Sequence, residues 1–387
     1  MRSGFVSILG RPNAGKSTLL NAFIGEKIAI VSNKPQTTRN RIQGIVEVPA
    51  RKGRNAAQIV FVDTPGVHRP GSQLDRRMMQ EVYEALESRD IVILMVDAAR
   101  YSEPLPQGKK PSARMERESS EDEFVLQLIQ KLDCPVFLVI NKIDLVLRSK
   151  LLPLIERFRA LYPFAEVIPI SASKKDGLDT LLMKLVEYLP EGQRYFPKEQ
   201  FTDQPERFLV AELIRERILL ETGEEVPYAS AVVVERFEEP EPIAAKSSKL
   251  PLTRISAVIY CERSGQKAIL IGKGGSKLKS IGAAARKEIE SLLGTRVYLE
   301  LHVIVEENWR ESRYFVDSLD WRKQLEDLAQ AESNSDEKTS VTTNPAGKPK
   351  PKPKRWTGRV PQVRPARPGL PRGVPGMKKK GEAPPLP

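Results

Sequence analysis

The chain has 387 residues, 40% of them hydrophobic and 29% charged, and a formal charge of +12. That length exceeds one ordinary domain. No apolar stretch reaches the roughly 18 residues of a membrane span, and two cysteines and two histidines argue against a disulfide framework or a histidine-based zinc site. The chain starts within ten residues of a nucleotide motif, too short for a leader, so the expectation is a cytosolic protein with a polyanionic partner.

From Phe5 to about Leu189, short apolar runs alternate with helical stretches. The runs Phe5–Leu9, Gln58–Val62, Ile91–Val96, Val136–Ile140 and Val167–Ile170 read as buried parallel strands joined by crossover helices. Residues 1–190 are therefore expected to form a doubly wound, mostly parallel α/β domain with its ligand at the carboxyl ends of the strands. Residues 100–123, rich in Pro, Lys, Glu and Ser, read as a solvent-exposed insertion that touches no motif. Breakers at Pro190, Gly192, Pro197 and Asp203 mark 191–204 as a linker.

A second domain is expected over 205–330. Glu206–Glu221 reads as an amphipathic helix with one apolar side, followed by strands over Ser230–Phe237 and Arg254–Cys261. A Gly-rich turn, a helix over Ser276–Leu293 and a strand over Val297–Val305 complete it. Residues 331–387 hold 13 Lys/Arg against 4 Asp/Glu, most of the chain's net charge. Dominated by Pro, Gly and polar residues, they are expected to be a disordered basic tail.

The segment Gly10-Arg11-Pro12-Asn13-Ala14-Gly15-Lys16-Ser17-Thr18 satisfies G-x-x-x-x-G-K-[ST] between a strand and a helix. Its N–H groups and the following helix N-terminus suit phosphates. Lys16 would neutralise β/γ-phosphate charge and the Ser17 hydroxyl would bind Mg²⁺. Asn141-Lys142-Ile143-Asp144 follows a later strand. There the Asp144 carboxylate can accept both donors of the guanine edge, which adenine lacks. Asn141 would tie loops together and the Lys142 stem would lie over the base. Ser171-Ala172 would present a backbone N–H to O6. Asp63-Thr64-Pro65-Gly66 ends another strand, with Asp63 on Mg²⁺ through water and the Gly66 N–H on the γ-phosphate.

These motifs stand in the order found in translation-factor-class GTPases, which they resemble. Gln36-Thr37-Thr38-Arg39 then occupies the switch I position, and Thr38 is taken for the Mg²⁺ and γ-phosphate contact, with Thr37 the alternative. Lys16, Thr38 and Gly66 are the residues expected to act in hydrolysis. Residue 67 is Val where Ras-like enzymes carry a water-orienting Gln, which points to slow intrinsic turnover. The loop resembles that of GTPases with G-x-x-N-x-G-K-S, and the likeness implies that Asn13 helps bind a potassium ion beside the phosphates; the alternative is a residue that only shapes its loop.

In the second half, Ile271-Gly272-Lys273-Gly274-Gly275-Ser276 places G-x-x-G before a helix. With Lys277 and Lys279 this suits a sugar–phosphate backbone. The surrounding order of helix, two strands, turn, helix and strand is that of the bacterial, type II KH fold, an α+β RNA-binding unit.

A GTPase domain followed by a KH domain resembles the Era GTPases, from about Phe5 to Leu319. The likeness rests on G-R-P-N-A-G-K-S-T-L-L-N at 10–21, Q-T-T-R at 36–39, D-T-P-G at 63–66, N-K-I-D at 141–144 and G-Q-K-A-I-L-I-G-K-G-G at 265–275. The resemblance implies a GTP/GDP-binding, Mg²⁺-dependent assembly factor of the 30S particle that binds near the 3′ end of small-subunit ribosomal RNA. Hydrolysis would time its release, and the protein would be a cytoplasmic monomer with peripheral association at the inner face of the membrane. Two rivals follow from the same residues: a GTPase accessory to RNA modification, and an RNA-binding protein whose nucleotide domain scarcely turns over.

Overall fold

The computed structural model describes residues 1–50, 55–101, 113–223, 225–239 and 251–326. The apolar runs pair as a six-stranded sheet in the order β2-β3-β1-β4-β5-β6. The strands are β1 (Arg2–Gly10), β2 (Ile42–Val48), β3 (Ala57–Asp63), β4 (Ile91–Asp97), β5 (Val136–Asn141) and β6 (Glu166–Pro169). β3, β1, β4, β5 and β6 run parallel, and β2 lies antiparallel on the edge. β2 is missing from the sequence reading because IQGIVEV is interrupted by Gly44 and Glu47. An added Cβ at Gly44 would lie 2.3 Å from Ile24 Cδ1, so a larger residue would have to push the α1 side chains aside.

Side chains alternate across this sheet. Val6, Ile8 and Phe61 meet helices α1 (Lys16–Ile24) and α6 (Leu178–Tyr188) on one face. Leu9, Leu94 and Leu138 meet α2 (Gln73–Glu87), α4 (Ala113–Ile129) and α5 (Leu151–Arg159) on the other. The short helix α3 (Ala98–Tyr101) follows β4. The expectation of an exposed insertion over 100–123 is corrected for its second half. Residues 113–123 belong to α4, and Arg11 of the phosphate-loop motif pairs with Glu121 and, at 3.0 Å, Asp122. The segment therefore touches a motif after all. Residues 102–112 lie outside the described residues.

The segment 191–204 is likewise no free linker. Thr202 and Gln204 are fully buried. Thr202 bridges Gly44, Glu191 bridges Arg2, and Gln58 donates to the Phe196 carbonyl at 2.8 Å.

The second sheet has the order β7-β8-β9, with β7 (Ala231–Glu238) antiparallel to β8 (Leu252–Cys261) and β8 parallel to β9 (Arg296–Val305). Helices α7 (Glu206–Glu221) and α10 (Ser276–Leu293) cover it through Leu213, Ile214, Ile281, Ala285 and Ile289. With short α8 (Val226–Ala229) and α9 (Ser264–Ile271), this is the expected KH arrangement. α9 escapes sequence reading because it is only eight residues long, with Gly265 in its first turn and Gly272 as its C-cap. α7 departs from a one-sided amphipathic helix. Phe208, Leu213 and Ile218 are buried, but so are Glu212, Arg215 and Glu216, because α7 is packed between its own sheet and the first domain. The turn at Trp309–Glu311 and α11 (Arg313–Ser318) close the chain against α2 through Trp309, Val316, Leu74 and Met78. The tail assigned to 331–387 lies outside the described residues.

Candidate nucleotide and RNA sites

The carboxyl ends of β1, β3 and β5 bring the nucleotide motifs together. After β1 the chain turns at Gly10 and wraps into α1, whose N-cap Gly15 has φ 101°. That left-handed conformation favours glycine. Space demands it too: a Cβ on Gly15 would lie 2.2 Å from Asn141 Nδ2. Asn141 ties the loops as expected, donating to the Ala14 carbonyl at 2.8 Å and accepting from the Ala172 N–H at 2.9 Å.

Lys16 is almost wholly buried, and its Nζ donates to the carbonyls of Gly10 and Arg11 at 3.1 and 3.0 Å. Burial pushes its ammonium down to about 8, against the pull of Asp63. Burial likewise pushes Asp63 up to about 6, opposed by Lys16 and by hydrogen bonds from Ser17 and Thr64. Burial disfavours each charge, and an opposite charge would favour it: phosphate for Lys16, a cation for Asp63. The Ser17 hydroxyl lies 2.6 Å from Asp63 Oδ2 and 2.9 Å from Thr38 Oγ1, so Thr38, not Thr37, faces the cluster. The Thr37 hydroxyl turns away to Ser32 Oγ and the Lys34 carbonyl at 2.7 and 2.6 Å. Asp63 Oδ1 is buried without a hydrogen-bond partner. Two hydroxyls and a carboxylate with a spare oxygen form a hard-oxygen set that fits Mg²⁺.

Thr64 anchors its strand end by donating to the Ile8 carbonyl at 2.7 Å, and Pro65 and Gly66 follow it, buried, beside Pro12. Val67 is fully buried and its N–H donates to the Gly10 carbonyl at 3.1 Å. Asn13, with φ 63°, donates from Nδ2 to the Asn33 carbonyl at 2.7 Å and so links the phosphate loop to the switch I segment. Thr18 continues the first turn of α1.

The base-reading residues hold one another in place. Asp144 is exposed, with Oδ1 held by the Ser171 hydroxyl at 2.6 Å. The N–H groups of Ser171 and Ala172 are engaged within the protein, on the Asp176 carbonyl at 3.0 Å and on Asn141. In this conformation the Ser171–Ala172 pair thus orients Asp144 and Asn141 instead of offering a free N–H. Lys142 sits in the left-handed region and its Nζ is 2.6 Å from Asp97 Oδ2; nothing in the motif alone pointed to Asp97.

A second unforeseen group is Asp75, at the N-terminus of α2. Its carboxylate accepts from His68 Nε2 at 3.0 Å, Gln36 Nε2 at 2.8 Å, and the Gly71 and Ser72 N–H groups. His68 Nδ1 lies 2.9 Å from the Gly66 carbonyl. Both ring nitrogens therefore face acceptors, and the Asp75 hydrogen bond raises the His68 pKa above its usual value despite burial. The S-Q-L-D capping pattern at 72–75 was the available signal.

The G-x-x-G turn joins α9 to α10. Gly272 has φ 71°, and a Cβ there would lie 2.6 Å from Lys277 Cβ. Around Gly274 and Gly275 an added Cβ would meet nothing within 4 Å. The turn's outer side is thus open above the α10 N-terminus, with Lys273 and Lys279 exposed and Lys277 half-buried.

Comparison with known proteins agrees with both halves. A family described as "50S ribosome-binding GTPase" matches residues 5–142, and a KH domain family matches residues 225–310. The chain is 47% identical over 310 residues to GTPase Era of Syntrophus aciditrophicus, covering 80% of this chain and 91% of that protein. It is also 47% identical to GTPase Era of Geotalea uraniireducens, covering 80% and 95%. The chain belongs to the Era GTPase family.

Among solved structures, a single-residue variant of Aquifex aeolicus Era bound to GDP·AlF4⁻ matches with a TM-score of 0.72 and 37% identity, over 83% of this chain and 99% of that one. An Era complex with MgGDPNP and nucleotides 1506–1542 of 16S ribosomal RNA matches with a TM-score of 0.72 and 38% identity, over the same shares. As an Era GTPase this chain hydrolyses GTP and uses Mg²⁺. Among the described residues, no helix is long and apolar enough to cross a membrane.

Proposed function

We propose that this Era GTPase is a small-ribosomal-subunit assembly factor, holding the 3′ end region of small-subunit ribosomal RNA on its KH domain and using hydrolysis as the release switch. We assign residues 1–190 to the GTPase domain and 205–330 to the KH domain, joined by 191–204. The observation that carries the reading is the Gly272–Gly275 turn: open outward, basic, and set at a helix N-terminus. The Era complex with 16S ribosomal RNA supports the choice of RNA.

In the nucleotide half, N–H groups from Asn13 to Thr18 surround the phosphates. Lys16 exchanges its two carbonyl partners for β- and γ-phosphate oxygens. Ser17, Thr38 and Asp63 would hold Mg²⁺, which would supply positive charge to neutralise the phosphates. The Gly66 N–H meets the γ-phosphate. Water attacks the γ-phosphorus and GDP leaves with inorganic phosphate as the other product. With Val67 buried, no side chain at that position orients the water, which supports slow intrinsic turnover. Asp144, set by Ser171, reads the guanine edge, and Lys142 and Asn141 frame it. Potassium beside Asn13 would add positive charge near the same phosphates; equal rates in potassium and sodium would remove that assignment. A monomer in the cytoplasm with peripheral membrane contact completes the reading.

The test is a double variant, Lys273→Asp with Gly274→Asp. It sets two carboxylates where phosphate should lie, remote in sequence from every nucleotide motif. We expect GTP affinity and RNA-free hydrolysis to be retained while filter binding of the 16S 3′ fragment is lost. Undiminished RNA binding would overturn the KH assignment of this turn.

A further inference from the structure

The segment from Val31 to Arg39 leads past the hydroxyl cluster into β2, and the second half of the molecule grips it at four places. The Val31 N–H donates to Glu216 Oε1 at 3.0 Å. Lys34 Nζ reaches the carbonyls of Leu219 and, at 2.6 Å, Thr222, where the end of α7 leaves carbonyls unsatisfied and favours a cation. Arg39 donates to the Ser230 carbonyl at 2.7 Å and to those of Pro227 and Tyr228 at 3.2 Å.

The fourth grip is next to the chemistry. Arg215 is 2% exposed. Its Nε and Nη2 bind the Glu212 carboxylate at 2.8 and 2.7 Å, which fixes the planar fork. The same guanidinium donates to the Thr37 carbonyl and, at 3.5 Å, to that of Gln36.

The Thr37 carbonyl and the Thr38 N–H share one rigid peptide plane. Holding that carbonyl therefore sets the direction in which Thr38 leaves the backbone. Gln36, just before, has φ 57°, a conformation that a non-glycine residue keeps only when its surroundings over-determine it. Arg215 at its carbonyl and Asp75 at its side-chain amide, 2.8 Å away, supply that constraint. One residue beyond Thr37, the Thr38 hydroxyl stands 2.9 Å from Ser17 Oγ.

We propose that Arg215 is a positioning residue for GTP hydrolysis: through the Thr37–Thr38 peptide it holds the Thr38 hydroxyl against Ser17 and Asp63 from a helix outside the nucleotide-binding half. The proposal rests on the reading of Thr38 as the Mg²⁺ and γ-phosphate ligand. The guanidinium's partners are Glu212 and the switch I carbonyls, not the phosphate loop or the base-reading residues. Its loss is therefore felt in turnover and not in GDP binding.

The experiment uses the full chain. GDP affinity is measured by titration and the hydrolysis rate constant under single-turnover conditions at saturating MgGTP, for wild type, Arg215→Met, Arg215→Lys, Thr38→Ala and the Arg215→Met/Thr38→Ala pair. In Arg215→Met we expect the rate constant to fall about tenfold or more while GDP affinity moves less than about threefold. Lys keeps the charge and one donor without the fork, so Arg215→Lys should recover part of the rate. It also remains informative if the Met variant is unstable. On Thr38→Ala, which is itself slow, adding Arg215→Met should have little further effect, since both remove one contribution. An unchanged rate in Arg215→Met and Arg215→Lys would overturn the proposal, as would parallel loss of GDP affinity, or full additivity with Thr38→Ala. A normal rate in Thr38→Ala would instead overturn the reading of Thr38, and the role of Arg215 with it.

Discussion

At the scale of single residues, function turns on side chains held by partners within the protein. Asp144 has one oxygen held by Ser171, which orients its carboxylate. Asp144→Asn replaces one acceptor by a donor opposite the guanine amino group. It should weaken GTP by about 1–3 kcal/mol and favour xanthine nucleotides, as read by calorimetric titration; unchanged GTP affinity would sink the assignment. His68 carries a pH prediction. Its folded pKa lies above its ordinary 6.5, through the Asp75 hydrogen bond and against burial. A raised folded pKa means that the protonated pair stabilises the fold below about pH 6.5 and that this contribution is lost as pH rises through the folded pKa. Urea unfolding between pH 6 and 9 should show a decline in wild type that His68→Gln lacks, and the His68 ring should titrate above 6.5 by NMR. A ring titrating below 6.5 would contradict this.

At the scale of elements, the phosphate loop, the Asn141–Asp144 turn and the Gly272–Gly275 turn were legible because each is a short stretch whose spacing states its chemistry. β2 and α9 were not, since an interrupted edge strand and an eight-residue helix lack the periodicity that identifies longer elements. Nor was the setting of α7. Its polar side carries Glu212, Arg215 and Glu216, which read as a solvated face until partners more than a hundred residues away bury them. The N-terminus of α2 combines both cases. The Ser72–Asp75 capping box is local and readable, while its second duty, holding His68 and Gln36, is not. Ser72→Ala should cost about 1 kcal/mol of stability, measured by urea unfolding. It should also shift the His68 titration, because Asp75 loses the hydroxyl donor 2.9 Å away. A cap loss that left His68 unmoved would show that Asp75 is placed by other contacts.

At the scale of the whole molecule, the two sheets are joined by groups that neither could bury alone. Glu81 on α2 is fully buried and pairs with Arg77 at 2.9 Å and with Arg322, from the far end of the described chain, at 3.1 Å. Trp309 is the apolar centre of the junction. It is fully buried, packed with Leu74 and Met78 of α2 on one side and Ala231 and Val316 on the other. Its Nε1 donates to the Ala229 carbonyl at 2.9 Å, and the Arg39 guanidinium lies 5.6 Å from its ring. Burial pushes Arg39 down to about 9, with nearby Arg215 adding to the effect, and the Ser230, Pro227 and Tyr228 carbonyls offset that penalty inside the junction. Truncating Trp309 to Ala removes the ring from contact with both halves and leaves the Ala229 carbonyl without its indole donor. The expected cost is about 3–5 kcal/mol. It should fall on the junction rather than on either sheet, since the residue belongs to neither of the larger cores. Wild type should therefore unfold in one calorimetric transition, and Trp309→Ala in two, the KH half melting apart from the GTPase half. A single, merely lowered transition in the variant would show that the halves are coupled mainly through the Arg215 and Glu81 contacts, with Trp309 only filling space.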